Sequence, residues 1–380
     1  MNLPPPLPRR KSRAVQVRNI TVGGDAPVSV QSMTTTETEN IVATLDQINR
    51  LAQAGCEIVR IAVPGKEAAD AVKTIVANSP IPVVADIHFN HTLALIAADN
   101  GIDALRINPG NLAKKDYIRE VVRKAQDCCI PIRVGINAGS LEQQVKDQFP
   151  GDTVRCLIES AMLNVRLLED EGFEDIVISV KASDPMSMVA AYREVAQRVP
   201  YALHLGVTEA GTLKRGLIKS GIGIGILLAE GIGDTIRVSL TADSTEEVTA
   251  GLEILRSIGL RAEGVDLISC PSCGRAELDI HTLANQVEAM IQDIKLPVKV
   301  AVMGCFVNGP GEAELADVGI AGGKNEFYIF RGEEKISKVA PDIALESFKA
   351  ELDKFIEENQ VMLEKRRHAT GHQQAQRILV

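Results

Sequence analysis

No tryptophan occurs in the chain, and aromatic residues make up only 3 % of its 380 positions. Stacking platforms for nucleic-acid bases are therefore scarce. Positive charge is short as well: 41 Lys and Arg face 50 Asp and Glu, a net charge of −9, so the basic footprint of a nucleic-acid binder is missing. No apolar run is long enough for a bilayer. The best, GIGIGILLA over 221–229, is stopped by Glu230. The N-terminal MNLPPPLPRRKSRAV has no apolar core of the secretory kind and reads as a loose arm. These absences point to a cytoplasmic protein with no membrane and no nucleic acid among its partners. An acidic surface is compatible with small-molecule chemistry in a local pocket of opposite sign.

What is present is a repeat of βα units. Eight short apolar runs, at 28–33, 57–64, 82–89, 103–110, 131–139, 175–183, 201–209 and 234–242, alternate with stretches whose apolar residues recur at three and four. Alternation of this kind implies a parallel sheet, and eight units over this length imply a (β/α)8 TIM-type barrel. A doubly wound sheet is the runner-up, but no Gly-rich dinucleotide fingerprint follows the first strand. Near residue 260 the pattern changes to a small α+β domain that ends in a long charged helix from about Asp342 to Arg366. The expected boundaries are an arm over 1–20, the barrel over 21–260, the smaller domain over 261–366 and a polar tail over 367–380.

Alternate residues of a strand share a face. On that basis polar residues fall in step at the strands' C-terminal ends, where barrels keep their chemistry. They are Arg60; Asp86 and His88; Arg106 and Asn108; Arg133 and Asn137; Ser179, Lys181 and Ser183; His204 and Thr208; and Arg237, Ser239 and Thr241. Asp86 could simply close a structural ion network with a neighbouring Arg. Five cations (Arg60, Arg106, Arg133, Lys181 and Arg237) against one Asp instead suggest a polyanionic ligand, since Arg forks suit phosphate oxygens. The NPGN turn at 108–111 could add backbone amides.

The smaller domain carries Cys270, Cys273 and, after 31 further residues, Cys305. Structural zinc wants four closed ligands, and His281 could complete a Cys3His set. An iron–sulfur cluster normally takes four thiolates, so three would leave one iron open or weakly held. Glu312, across the NGPGE turn, is the nearest carboxylate candidate. Spacing alone leaves both alternatives standing. Cys56, Cys128, Cys129 and Cys156 match no ligand set and read as packing.

The string VQSMTTT, VADIHF, LRINPGN, RVGINAGSL, SVKASD, LHLGVTEAG, LLAEGIGDTIRVSL and CPSCGR…GCFVNGPGEAE resembles the family of bacterial-type 4-hydroxy-3-methylbut-2-enyl diphosphate synthases, from about residue 10 to 335. The resemblance implies reductive ring opening and dehydroxylation of 2-C-methyl-D-erythritol 2,4-cyclodiphosphate in isoprenoid precursor synthesis, with two electrons from ferredoxin or flavodoxin. It implies a 4Fe-4S cluster on Cys270, Cys273, Cys305 and Glu312. Arg60, Asp86, His88, Arg106, Asn108, Arg133, Asn137 and Lys181 would surround the diphosphate and hydroxyls. Glu312 and His88 become the candidates for giving a proton to the leaving hydroxyl. The family also implies a homodimer in which the cluster domain of one chain caps the barrel of the other. The rival is a phosphosugar- or pterin-type barrel enzyme braced by structural zinc, which would be colourless and need no electron donor.

Overall fold

The structure, a computed structural model, describes residues 8–108, 115–273, 275–276, 278–305 and 316–368. The chain divides into two compact units that meet in sequence at Ile258 and Gly259. Among the described residues no helix is long and apolar enough to cross a membrane.

The first unit opens with an antiparallel hairpin, β1 (Val15–Val17) and β2 (Ile20–Val22). Then come β3 (Ser29–Met33), α1 (Ile41–Gln53), β4 (Ile58–Ala62), α2 (Lys66–Asn78), β5 (Val83–Asp86), α3 (His91–Asp99), β6 (Ala104–Ile107) and α4 (Lys115–Asp127). The unit continues with β7 (Ile132–Asn137), α5 (Gln143–Gln148), α6 (Thr153–Glu169), β8 (Ile176–Lys181), α7 (Pro185–Arg198), β9 (Ala202–Leu205), α8 (Leu213–Ala229), β10 (Thr235–Ile236) and α9 (Ser244–Ser257). Strands β3 to β10 close into an eight-stranded parallel barrel, as the alternation of runs implied. Buried on both faces, they are the near-continuous apolar runs that such a sheet requires. Helix starts follow short polar residues. Asn40, Asn90, Asp152, Asp184 and Asp243 each accept a hydrogen bond from a backbone amide of the first turn, satisfying one of its free donors.

Two expectations need correction. Residues 8–22 are not a loose arm. Arg9 donates to the Ala26 carbonyl at 2.5 Å and to Asp234 at 3.1 Å, and Arg10 donates to the Ala196 and Tyr201 carbonyls at 2.9 Å each. Val15, Val17 and Val22 then pack on Ile58, Val84, Ala104, Val177 and Ala202, the interior residues nearest the strands' N-terminal ends. The hairpin thus stops that end of the barrel. The eighth strand, expected over 234–242, is only two residues long, because beyond Ile236 the chain bends onto a side chain: the Leu240 amide donates to Glu247 at 3.0 Å.

The second unit contains β11 (Asp266–Ser269), α10 (Ile280–Ile291), β12 (Lys299–Met303), β13 (Val318–Gly322), β14 (Phe327–Arg331), β15 (Glu334–Val339) and α11 (Ala344–His368). Its sheet runs in sequence order, with β11 to β13 parallel and β14 and β15 antiparallel to their neighbours. Period-two alternation sends Val300, Val302, Val318 and Ile320 to one face. There they bury Leu283 and Val287 of α10 and Phe348 and Leu352 of α11. Ala301, Met303 and Ala321 line the other face with Phe330.

Candidate active site

Two residues above the apolar layer that meets the hairpin, each strand presents its next inward side chain. Ile58 is followed by Arg60, Val84 by Asp86, Ala104 by Arg106, Val177 by Ser179 and Ala202 by His204. The registers Asp86↔Arg106 and Arg106↔Arg133 set three charged residues of adjacent strands side by side. A layer normally filled by branched apolar side chains is polar here.

Asp86 is the hub. Its Oδ1 lies 3.0 Å from Arg106 Nη1, and its Oδ2 lies 3.4 Å from His88 Nε2 and 3.8 Å from Arg60 Nε. Burial alone would push this carboxyl up. Arg60, His88 and Arg106 outweigh it and hold the group well below the ordinary carboxylate range. Arg106 also donates to the Gly135 carbonyl at 3.0 Å and lies flat against that residue. A Cβ at Gly135 would come within 2.3 Å of Arg106 Nε, so no side chain fits there. Arg60 points Nε and Nη2 at Met33 Sδ, at 3.1 and 2.9 Å, and burial lowers it to about 9. The ion network and the cation excess therefore coexist.

The count of one carboxylate was short by one. Glu247 of α9 reaches in to Arg237 at 3.3 Å and accepts from Ser32 Oγ at 2.9 Å. Gln31, also missed, accepts from Arg133 Nη1 at 2.7 Å. The same parity rule finds Gln31, two residues before the inward Met33. Glu247 arrives on a helix, where no strand parity could show it.

Lys181 and Arg133 remain without a carboxylate partner among the described residues. Burial pushes both well below their ordinary values, and the surrounding cations push further. Lys181 Nζ lies 3.2 Å from His204 Nε2. Among the described residues Arg133 Nε and Nη2 have no partner, nor has either polar side-chain atom of Asn108, which is 1 % exposed. Buried polar atoms without partners are costly and rare in folded proteins. Here they gather at strand ends, beside unpaired cations, which is the arrangement an anionic ligand with hydroxyls would complete. His88 is half exposed at the same hub, and Asn137 pairs in register with Lys181 at the ends of β7 and β8. Of NPGN, only Asn108 lies within the described residues.

In the second unit Cys270 follows β11 directly, and Cys305 follows β12 after Gly304; these strands are parallel neighbours. Both thiols therefore leave the same edge of the sheet. The Cys270 amide donates to the Val302 carbonyl at 2.9 Å, and a Cβ on Gly304 would lie 3.3 Å from Cys270 Sγ. Cys273 is exposed, and hydrogen bonds from Arg275 hold its thiol below the ordinary value. Arg275 is itself raised, by Cys273 first and also by Cys305 and Cys270, so one guanidinium feels all three sulfurs. The donor set, three soft thiols beside one guanidinium, suits iron–sulfur chemistry. The described residues hold no group of three His, Cys, Asp or Glu side chains gathered as a metal ligand set. Glu312 lies outside the described residues, and His281 is exposed on the first turn of α10. Of the other thiols, Cys56 and Cys156 are buried as packing residues, and burial pushes Cys56 up to about 12; Cys128 is half-buried and Cys129 is exposed, so the packing reading does not hold for Cys129.

A closed βα barrel with buried cations and unpartnered side chains at its strand ends defines a barrel enzyme for an anionic ligand. Comparison with known families is specific. Residues 12–252 match the GcpE TIM-barrel domain and residues 266–354 match the GcpE protein C-terminal domain. The chain belongs to the GcpE family. It is 52 % identical over 350 residues to a protein of Geobacter sulfurreducens, covering 92 % of this chain and 99 % of that one. A Clostridium perfringens protein is 52 % identical over 349 residues, with 92 % and 99 % covered. Both are named 4-hydroxy-3-methylbut-2-en-1-yl diphosphate synthase (flavodoxin). Among solved structures, a Yersinia pestis dihydropteroate synthase aligns with TM-score 0.48 and 11 % identity, over 64 % of this chain and 96 % of that one.

Proposed function

We propose that this protein opens the ring of 2-C-methyl-D-erythritol 2,4-cyclodiphosphate and removes a hydroxyl, giving (E)-4-hydroxy-3-methylbut-2-enyl diphosphate, in the cytoplasm. One C–O bond to phosphate and one C–OH bond break, a C=C bond forms, and two electrons and a proton enter as water leaves. Reduced flavodoxin is the electron donor, as the names of the relatives indicate. The observation that carries this function is the buried cation layer around the unpartnered atoms of Arg133 and Asn108.

Arg60, Arg106, Arg133, Lys181 and Arg237 bind the diphosphate and stabilise the charge it gains as its bond to carbon breaks. Asn108 and Asn137 orient hydroxyls. Asp86 keeps Arg106 and His88 in place, and His88 Nε2 is one position from which a proton can reach the leaving hydroxyl. Cys270, Cys273, Cys305 and Glu312 would hold a 4Fe-4S cluster, which when bound supplies electrons one at a time. Two copies pair so that the C-terminal domain of one serves the barrel of the other.

The test is an anaerobic assay with the cyclic diphosphate and reduced flavodoxin, alongside iron, zinc and sulfide counts. Allylic diphosphate formed by a brown protein with about four irons per chain, as such a cluster requires, supports the assignment. A colourless, zinc-loaded protein without turnover would falsify it. Pairing is tested by mixing Cys305→Ser with Lys181→Ala: two inactive variants should regain activity together, and no recovery after subunit exchange would rule out a shared site.

A further inference from the structure

Behind Lys181 the barrel is built in an unusual way. The ladder between β8 and β9 ends at Ile178↔Leu203. Next along, the Val180 amide and the His204 carbonyl do not meet each other. The hydroxyl of Tyr192, fully buried on α7, stands between them, accepting from Val180 N at 3.1 Å and donating to His204 O at 2.5 Å. The two strands are thus held apart by one oxygen at the level of Lys181 and His204. Gly206 keeps the space clear, since a Cβ there would lie 2.8 Å from Lys181 Nζ.

His204 is fully buried, and its Nε2 lies 3.2 Å from Lys181 Nζ. An ammonium has three donors and no acceptor, so Nε2 must then be the accepting nitrogen and Nδ1 must carry the hydrogen. Nδ1 has no partner among the described residues. His204 also lines a cavity of about 30 Å³ between the hairpin and the charged layer, together with Gln31, Arg133 and Thr235. The rest of the lining is mostly apolar, among it Val17, Ile58 and Val84.

We infer that His204 is a positioning residue for Lys181: Nε2 accepts a hydrogen bond from the amine and fixes where it stands in the charged layer. Arg133, Arg237, Arg60 and Arg106 face Lys181 from the other elements around it, and no carboxylate pairs with it among the described residues. All four oppose its charge. Among the described residues the histidine acceptor is the one contact that favours the ammonium, so it sets how readily Lys181 takes a proton when an anion arrives. The identity of that anion rests on the function proposed above.

The test reads Lys181 directly. Cyanate carbamoylates only the neutral amine, so its rate at Lys181 against pH, followed by peptide mass spectrometry on the full-length protein, reports the amine's titration. The midpoint should lie below that of exposed Lys73. His204→Leu should lower it by roughly one further pH unit, the scale of a lost hydrogen bond to a charged group. His204→Gln, whose Oε1 can accept in the ring's place, should restore most of the shift. A midpoint equal to that of Lys73, or identical midpoints in the three proteins, would overturn the inference. Adding the cyclic diphosphate should protect Lys181. A lack of protection would count against the proposed substrate and leave the lysine–histidine pair untouched.

Discussion

The two units use polar chemistry in opposite ways. In the C-terminal unit the sheet and two helices enclose an ordinary apolar core, and the reactive thiols stand at the sheet's edge, in the segments that follow β11 and β12. In the barrel the charges replace the core. Arg106, Arg133, Lys181 and Asp86 are all under 8 % exposed, in a layer where branched aliphatic side chains would have been more stabilising. The difference separates two requirements. A redox group needs ligands and access, which loops provide. A small polyanion needs donors fixed before it arrives, which rigid strands provide.

The sharpest way to break this contrast is to remove one thiol. Cys305→Ser should lose iron and at least 99 % of turnover, yet bind the cyclic diphosphate with unchanged affinity by calorimetry. Weakened binding would show that the two regions are not separable. Asp86→Asn attacks the other side. Breaking a buried ion pair while its partners remain costs about 3–5 kcal/mol, which urea unfolding should register together with a large fall in kcat/KM.

The pH dependence of that loss has a defined sign. Because the folded carboxyl is held below its unfolded value of about 3.9, its stabilisation is complete above that value. It is lost only as pH falls through the lower, folded value. The stability gap between the wild type and Asp86→Asn should therefore be constant from pH 7 to 5 and shrink only in stronger acid. A gap that closes by pH 5 would contradict the geometry around Asp86.

Gly135→Ala should act through Arg106 alone, lowering kcat and kcat/KM together by about tenfold, the scale of one lost charge-assisted contact. A rise in KM with kcat kept would mean that Arg106 only binds the ground state. Smallest of all, Val22→Ala in the hairpin should cost about 2 kcal/mol of stability, the scale of one buried aliphatic side chain, with KM unmoved.

Strand periodicity made the barrel legible, and period-two parity located most of its charged layer, because both are local properties of a strand. Gln31 obeyed the same rule but stands in an otherwise apolar run, where one amide draws no notice. Glu247, Tyr192 and Gly135 were not legible, since each acts through a neighbour distant in sequence: a carboxylate from a helix, a hydroxyl between two strands, an absent Cβ beneath an arginine. The arm misled for a related reason. Its prolines and arginines are what a free tail would carry, and only the carbonyls that Arg9 and Arg10 reach on other elements reveal the docking.

The hairpin at the foot of the barrel has a consequence for traffic. Among the described residues the hairpin closes one end of the barrel, so a cyclic diphosphate bound at the charged layer would enter, and its product leave, at the strands' C-terminal end. Product and incoming substrate would then compete for the same cations. Inorganic diphosphate, small enough to lodge there, should slow departure and arrival alike.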